Sequence, residues 1–341
     1  MSQTSRIGKA PGLCVMNSGA LDQVFGPGQR RELQALLDEV EPPCSAESLR
    51  SCPEWLREAR VVVTGWGGPR FDEDLLAHAP ELEVVLHAAG SIRPIVSDAF
   101  WDRGIRISSA AAANATPVAE FCLAQIFMLM KNFYAVQRMY HDARAKPPSL
   151  RLGLSPGAYR QRVGLVSFGQ IARQLREMLR PHELEVVVYD PYLDEHQARE
   201  AEVVRVSLEE VFATSQVVSI HTPSVPETHG LIHKQLILSL PEHAGLLNTA
   251  RGAVVDELGI IQALHDRPDL TAVLDVTEPE PPLRSSPLWT MPNVVLTPHI
   301  AGSIGVECRR LGQQVIDELR RFNRGLPLQH AVTRESARLM A

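Results

Sequence analysis

Positive charge is in deficit: 34 Lys and Arg stand against 40 Asp and Glu, a net charge of -6. No global basic field exists to gather nucleic acid or an anionic lipid surface. Cysteine is sparse. The five residues (Cys14, Cys44, Cys52, Cys122, Cys308) are odd in number, scattered, and without C-x-x-C or metal-finger spacing. They read as packing residues in a reducing, cytoplasmic setting, with no disulfide framework and no metal site. The N-terminus, MSQTSRIGKAPG, lacks the apolar stretch of a secretory signal. The most hydrophobic run, Val118 to Met130, carries Glu120 and Gln125, which argues against a membrane span. A solenoid-type repeat is also missing. What remains is a chain of 341 residues, 45% hydrophobic and 22% charged. That is an ordinary globular composition, long enough for two domains and able to hide about three quarters of its surface.

From about residue 11 to 112, short apolar runs alternate with helix-like stretches. Leu13 to Met16, Arg60 to Thr64, Leu82 to His87 and Ile105 to Ser108 are the runs, and Gln29 to Val40 and Asp72 to His78 are helical. That order predicts a parallel sheet covered by helices. Asn114 to Tyr140 is the longest helical pattern, with Pro117 near its start, where a missing N–H costs nothing. Residues 141–161 hold three prolines and read as an irregular connection or an arm onto another subunit.

A second alternating series supplies seven strand candidates: Val163 to Phe168, Glu185 to Tyr189, Val203 to Val206, Gln216 to His221, Gly245 to Thr249, Thr271 to Val276 and Asn293 to Thr297. Between them lie helical segments, one introduced by Ser207 with Glu210 three residues on, a pattern that satisfies a helix N-terminus reciprocally. The final helix, about Ser303 to Asn323, has no strand candidate after it. Long and amphipathic, it is expected to fold back onto the first domain and make that domain discontinuous.

The stretch from Gly164 to Ala172 occupies a strand-to-helix corner, where a dinucleotide loop of the form G-x-G-x-x-G/A would sit, here framed as Ser167, Gly169 and Ala172. Gly169 lets the backbone approach a pyrophosphate whose charge the following helix N-terminus attracts, and Ala172 permits close helix-to-strand packing. Ser167 is irregular: serine reaches positive φ less cheaply than glycine, so either the turn tolerates a Cβ or phosphate affinity is reduced. Alone the match is equally that of a structural turn. Asp190, at the end of the strand through Tyr189, shifts the balance, because its carboxylate can accept from adenosine ribose hydroxyls and repel a ribose phosphate. NAD is therefore expected rather than NADP, although an Asp before Pro191 also suits a plain turn.

In open parallel sheets the ligand crevice lies beyond the carboxyl ends of the strands. Arg251, Glu280 and His299 each follow an apolar run there. Arginine forks onto a carboxylate, histidine exchanges a proton near neutral pH, and a neighbouring carboxylate holds imidazolium charge. Singly, each has a bland reading: a surface arginine, part of the acidic EPEPP loop, a satisfied turn histidine. Together they fit redox chemistry on a hydroxy acid. His221, in His-Thr-Pro, is read as shaping a loop that borders the cofactor.

The blocks VGLVSFGQIA, VVVYDPY, HTPSVPETHGLI, LLNTARGAVVDE, LDVTEPEPP and NVVLTPHIAG, in this order, resemble the D-isomer-specific 2-hydroxyacid dehydrogenase family over most of the chain. The resemblance implies an α/β protein with a Rossmann-like NAD-binding domain, 113–304, inserted into a discontinuous flavodoxin-like substrate domain, 1–112 and 305–341. It also implies a homodimer joined through the inserted domain. Carried over by position, Arg251 holds the substrate carboxylate and 2-oxo oxygen, His299 is the acid/base, and Glu280 orients it and balances its charge. Cofactor contacts are implied at Ser167, Phe168, Gly169, Gln170 and Ile171 of the loop, and at Asp190. They are implied also at His221, Thr222, Pro223 and Thr228 of the next loop, and at Thr249, Ala250 and Gly302. Asp275 resembles the nicotinamide carboxamide contact. Ala89, Gly90 and Ser91 resemble the loop whose backbone N–H groups grip the carboxylate, and Trp66 is a candidate contact for the substrate side chain. Two departures stand out: Ser91-Ile-Arg93, where relatives have glycine and an acidic residue, and Ser167.

The implied reaction is reversible hydride transfer between a D-2-hydroxy acid and NAD, chiefly as 2-oxo acid reduction of the hydroxypyruvate or glyoxylate type or larger. No regulatory domain follows the last helix, which disfavours a feedback-controlled phosphoglycerate dehydrogenase. Two rivals remain. One is a formate dehydrogenase, against which the carboxylate of Glu280 argues. The other is a dehydrogenase-like, nucleotide-sensing interaction protein with little turnover, such as the dehydrogenase-like corepressors.

Overall fold

A computed structural model describes residues 8–145, 156–338 and 340. Of the connection read over residues 141–161, residues 146–155 lie outside the described residues. Its first residues close a helix, Phe133–Ala143. The chain divides into two compact units, Met1–Asn114 with Ser303–Met340, and Ala115–Gly302.

The first unit is built on strands β1 (Ala10–Val15), β2 (Leu37–Glu39), β3 (Val61–Thr64), β4 (Val84–His87) and β5 (Arg106–Ser109). They pair in parallel in the order β2-β1-β3-β4-β5, the flavodoxin-like order. Every residue of β3 and β4 is buried, as a sheet covered on both faces requires. One cover is the helix Cys308–Asn323, whose Leu311, Val315, Ile316 and Leu319 join Cys14, Val63 and Leu86 in one core. A Cβ on Gly312 of this helix would lie 2.2 Å from the Val24 carbonyl oxygen, so the close approach there requires glycine.

Two expectations need correction here. The helix read over Gln29 to Val40 stops at Leu36, and Leu37–Glu39 becomes β2. Its register, Ala10 opposite Leu37 and Gly12 opposite Glu39, is dictated by the unpaired edge of β1 and not by any local strand pattern. The C-terminal helix is also followed by a strand after all: Ala331–Val332 pairs antiparallel with β5. Glu318, buried in that helix, accepts from the N–H groups of Gln329 (3.0 and 3.1 Å) and His330 (3.0 Å) and so fixes the approach to this strand.

The second unit holds β6 (Arg162–Val166), β7 (Glu185–Tyr189), β8 (Val204–Arg205), β9 (Val217–Ile220), β10 (Gly245–Asn248), β11 (Thr271–Leu274) and β12 (Val294–Leu296). All seven candidates are present. The sheet order β12-β11-β10-β9-β6-β7-β8 is parallel throughout. Counted within the unit it reads 3-2-1-4-5-6 with one more strand, a Rossmann arrangement whose order reverses between β6 and β9. A crevice therefore opens beyond the carboxyl ends of β6 and β9.

The helix expected over Asn114 to Tyr140 runs from Ala111 to Met130 and is interrupted at Asn132, whose φ of 48° is left-handed. Asparagine tolerates that conformation better than most residues. The alanine run starts the helix early, so Pro117 falls in its second turn and not its first. Its length and apolarity match a membrane span. Yet Val118, Cys122, Ile126 and Leu129 pack against Val163, Leu165 and Val217 in the core of the second unit.

Candidate active site

At the end of β6 the chain turns through Ser167, whose φ of 73° is left-handed. For a residue with a Cβ this costs about 1–2 kcal/mol. A hydroxyl relay holds it there: Thr222 Oγ1, beyond β9, donates to the Val166 carbonyl (3.3 Å) and therefore accepts from Ser167 Oγ (3.0 Å). The relay crosses the point where the strand order reverses. Gly169 caps the helix Gln170–Leu179, and a Cβ built on it would meet nothing within 4 Å. Packing does not demand glycine here; open space lies before a helix N-terminus with unspent N–H groups, a setting for a pyrophosphate.

Asp190 faces the same loop. Its oxygens accept from the N–H of Phe168 (2.7 Å) and of Tyr192 (2.7 Å), and each retains a lone pair for a ribose hydroxyl. The Phe168 ring is in the core with Arg173 stacked on it at 4.8 Å, Ile171 packs against the same core, and Gln170 is exposed. This segment therefore presents mainly backbone to a ligand. Open space, helix terminus and carboxylate together fit a dinucleotide.

The loop after β9 braces itself: Thr228 Oγ1 donates to the Pro223 carbonyl (2.6 Å) and accepts from Val225 N–H (3.0 Å). His221 is held neutral, since burial lowers its pKa to about 4. Neither ring nitrogen of His221 has a partner among the described residues.

Beyond β10, Asn248 shapes the turn that carries Arg251. Its Oδ1 accepts from Ala250 N–H (3.0 Å) and its Nδ2 donates to the Arg251 carbonyl (3.0 Å). Thr249 is buried against Cys122 Sγ at 3.3 Å, and the Arg251 guanidinium donates to the Ala250 carbonyl (2.6 Å). A Cβ on Gly252 would fall 2.0 Å from the Thr277 carbonyl carbon. The bare glycine thus seats the Arg251 turn against the loop that carries Glu280. Burial raises the pKa of Glu257, in the first turn of the helix that follows this turn.

His299 follows β12 with a left-handed φ of 56°. Asp275, buried at the end of β11, organises the turn: Oδ1 accepts from Thr297 Oγ1 (2.5 Å) and Ile300 N–H (2.9 Å), and Oδ2 from Ala301 N–H (2.9 Å). The His299 N–H itself donates to the Asp275 carbonyl (3.0 Å). The carboxylate read as a nicotinamide contact is therefore committed largely to the histidine turn. His299 Nδ1 meets Glu280 Oε1 at 2.8 Å, with both side chains part-exposed. A carboxylate only accepts, so the proton sits on Nδ1 and the Nε2 lone pair is the reactive one.

Glu280 and His299 are thus in contact, and Arg251 is joined to their loop through Gly252. Gly302 closes the unit. Trp66 and Ala89-Gly90-Ser91 belong to the first unit, after β3 and β4, whose ends are neighbours in its sheet. Trp66 is held through its carbonyl by Asn17 N–H (3.0 Å) and its side chain is part-exposed. Sequence reasoning missed Gly252, Thr297 and the bracing by Asp275. Arg-Gly and Thr-Pro-His were the available signals, but each means something only once the partner loop is known.

The family model of the D-isomer specific 2-hydroxyacid dehydrogenase NAD binding domain matches residues 123–301. The chain belongs to the D-isomer specific 2-hydroxyacid dehydrogenase family. Within it, the (S)-sulfolactate dehydrogenase of Chromohalobacter salexigens is 32% identical over 253 residues, 74% of this chain and 81% of that one. The D-3-phosphoglycerate dehydrogenase of Bacillus subtilis is 29% identical over 263 residues, 77% of this chain but 49% of that one. The chain spans about half the length of the first curated relatives it matches. A solved phosphoglycerate oxidoreductase from Rhizobium etli shares the fold with a TM-score of 0.82 at 20% identity, covering 96% of this chain and 99% of that one. A solved protein from Thermus thermophilus aligns with a TM-score of 0.72 at 26% identity, covering 95% of this chain and all of that one.

Proposed function

We propose that the chain is an NAD-dependent D-2-hydroxyacid dehydrogenase acting mainly as a 2-oxo acid reductase. The observation that carries this reading is the 2.8 Å contact between His299 Nδ1 and Glu280 Oε1, which leaves Nε2 to exchange a proton with substrate. Bound NADH supplies the hydride. In reduction, protonated His299 gives its Nε2 proton to the substrate oxygen as negative charge develops there, and Glu280 balances the imidazolium. In oxidation, neutral His299 takes the hydroxyl proton. Arg251 holds the carboxylate and stabilises charge on the oxygen. Gly169, the helix it caps and Asp190 hold the dinucleotide, and the Asp190 carboxylate favours NAD over NADP by repelling a ribose phosphate.

The substrate is a small 2-oxo acid, and the relatives named for sulfolactate and phosphoglycerate make acids with a second anionic group worth including beside glyoxylate, hydroxypyruvate and phenylpyruvate. The working form is a homodimer. The helix Phe133–Ala143 buries none of its residues within the chain and exposes Phe133, Met139 and Tyr140, an apolar face suited to a second copy. The test is a panel of 2-oxo acids with NADH and NADPH, followed at the nicotinamide absorbance. Reduction with NADH preferred supports the reading. Measurable NADH binding without turnover of any acid contradicts it and favours the nucleotide-sensing alternative.

A further inference from the structure

Ser167 stands where a dinucleotide loop has its first glycine, and its φ of 73° is one that a Cβ disfavours. The bonds that hold this turn differ in kind. On the β7 side the Ser167 N–H donates to the Tyr189 carbonyl (2.7 Å) and the Phe168 N–H to the Asp190 carboxylate (2.7 Å). On the β9 side the Val166 carbonyl accepts from the His221 N–H (2.9 Å). None of these three involves the Ser167 side chain, and a glycine turn would make them equally. The bond from Ser167 Oγ to Thr222 Oγ1 (3.0 Å) is the exception. It exists because a serine is there.

Thr222 is built for that bond. It is 2% exposed, so its hydroxyl is sheltered from bulk water. The hydroxyl donates to the Val166 carbonyl (3.3 Å) and turns its lone pairs to Ser167. A β-branched side chain is stiff at χ1, which keeps the oxygen in one direction. Valine has the same shape and could neither donate nor accept.

We propose that Thr222 is a positioning residue for the dinucleotide and forms a compensated pair with Ser167: its hydroxyl holds the serine turn in the left-handed form that a glycine would reach unaided, and so keeps Gly169 and the helix Gln170–Leu179 in place to receive a pyrophosphate. The identity of the ligand rests on the dinucleotide reading of this loop; the pairing stands within the second unit alone. Without the bond, the cost of the Cβ is unopposed and the turn leaves the left-handed form most of the time. Apparent affinity falls in proportion to the fraction of chains still competent to bind, and a left-handed penalty of the usual size leaves a fraction of about one tenth.

The test is NADH binding to the full chain, followed by fluorescence titration, with melting points taken in parallel. Thr222→Val and Ser167→Ala should each weaken NADH by about tenfold. Thr222→Ser, which keeps the hydroxyl, should restore most of the loss. The decisive comparison places Thr222→Val in the Ser167→Gly background. Glycine reaches positive φ without help, so the same substitution should there weaken NADH by only about twofold or less. A threonine that serves the fold alone would act by the same factor in both backgrounds. Equal factors, or NADH affinity unchanged by both Thr222→Val and Ser167→Ala, overturns the proposal and leaves the dinucleotide reading standing. A wild type that binds neither NADH nor NADPH sinks the dinucleotide reading, and the proposal falls with it. If Thr222→Val folds poorly, Ser167→Ala against Ser167→Gly decides: equal affinities overturn the pairing, and a loss of about tenfold confined to the alanine variant supports it.

Discussion

Asp275 carries the turn that presents His299. The main-chain N–H of His299 donates to the Asp275 carbonyl at 3.0 Å, and the Asp275 carboxylate gathers Thr297, Ile300 and Ala301 around it. β11 and β12 are adjacent and parallel, so the aspartate at one strand end reaches the loop of the next without any intervening residue. The left-handed backbone at His299 is held by these bonds.

Asp275→Asn should therefore damage both stability and turnover. An amide can accept on one side only, and its NH2 would face an N–H group that the carboxylate now satisfies. Loss of about 2–4 kcal/mol in urea denaturation is expected, with kcat reduced more than NADH affinity. A variant as stable and active as the wild type would remove the aspartate from this role.

Ser167 offers a test of opposing terms. Ser167→Gly relieves a left-handed Cβ worth about 1–2 kcal/mol and forfeits a hydrogen bond worth about 1, so stability should change little. Ser167→Ala keeps the strain and loses the bond, and should be less stable by about 1 kcal/mol. Thermal melts of the two variants separate them: equal melting points would contradict the strain, and a Ser167→Ala melting point equal to that of the wild type would contradict the relay.

Acid should destabilise the fold through two histidines. Burial depresses both His87 and His221 from 6.5 to about 4. Between those values the unfolded chain binds protons that the folded chain refuses, so stability is fully present above about pH 6.5 and falls as the pH drops toward 4. Each site contributes about 3 kcal/mol over that window. Urea titrations at pH 7 and 4.5 measure the slope. His221→Leu, which removes an imidazole whose nitrogens bond nothing among the described residues, should take away about half of it. An unchanged slope in that variant would place the acid sensitivity elsewhere.

Most of the fold was legible because β-branched runs such as Val61–Thr64 and Val186 to Tyr189 lie between turn and cap residues, a local signal. Leu37–Glu39 was not, since nothing in three residues distinguishes a strand from the end of the helix before it; the unpaired edge of β1 decides. The interruption at Asn132 was equally silent, because asparagine within a helical pattern is common and its left-handed use depends on the path of the next helix. In the site, Arg251, Glu280 and His299 were visible as polar residues just past apolar runs. That Asp275 braces the histidine turn was not, because its partners lie more than twenty residues on and meet it only through the pairing of β11 with β12.

The most direct measurement is single-turnover reduction of the best 2-oxo acid by His299→Ala at saturating NADH, with NADH affinity determined in parallel. Loss of about 100-fold or more in the hydride-transfer rate, with NADH binding within a factor of about two of the wild type, is expected if Nε2 of this imidazole supplies the proton. A rate equal to that of the wild type would show that His299 is not the acid/base and that its contact with Glu280 serves only the loop.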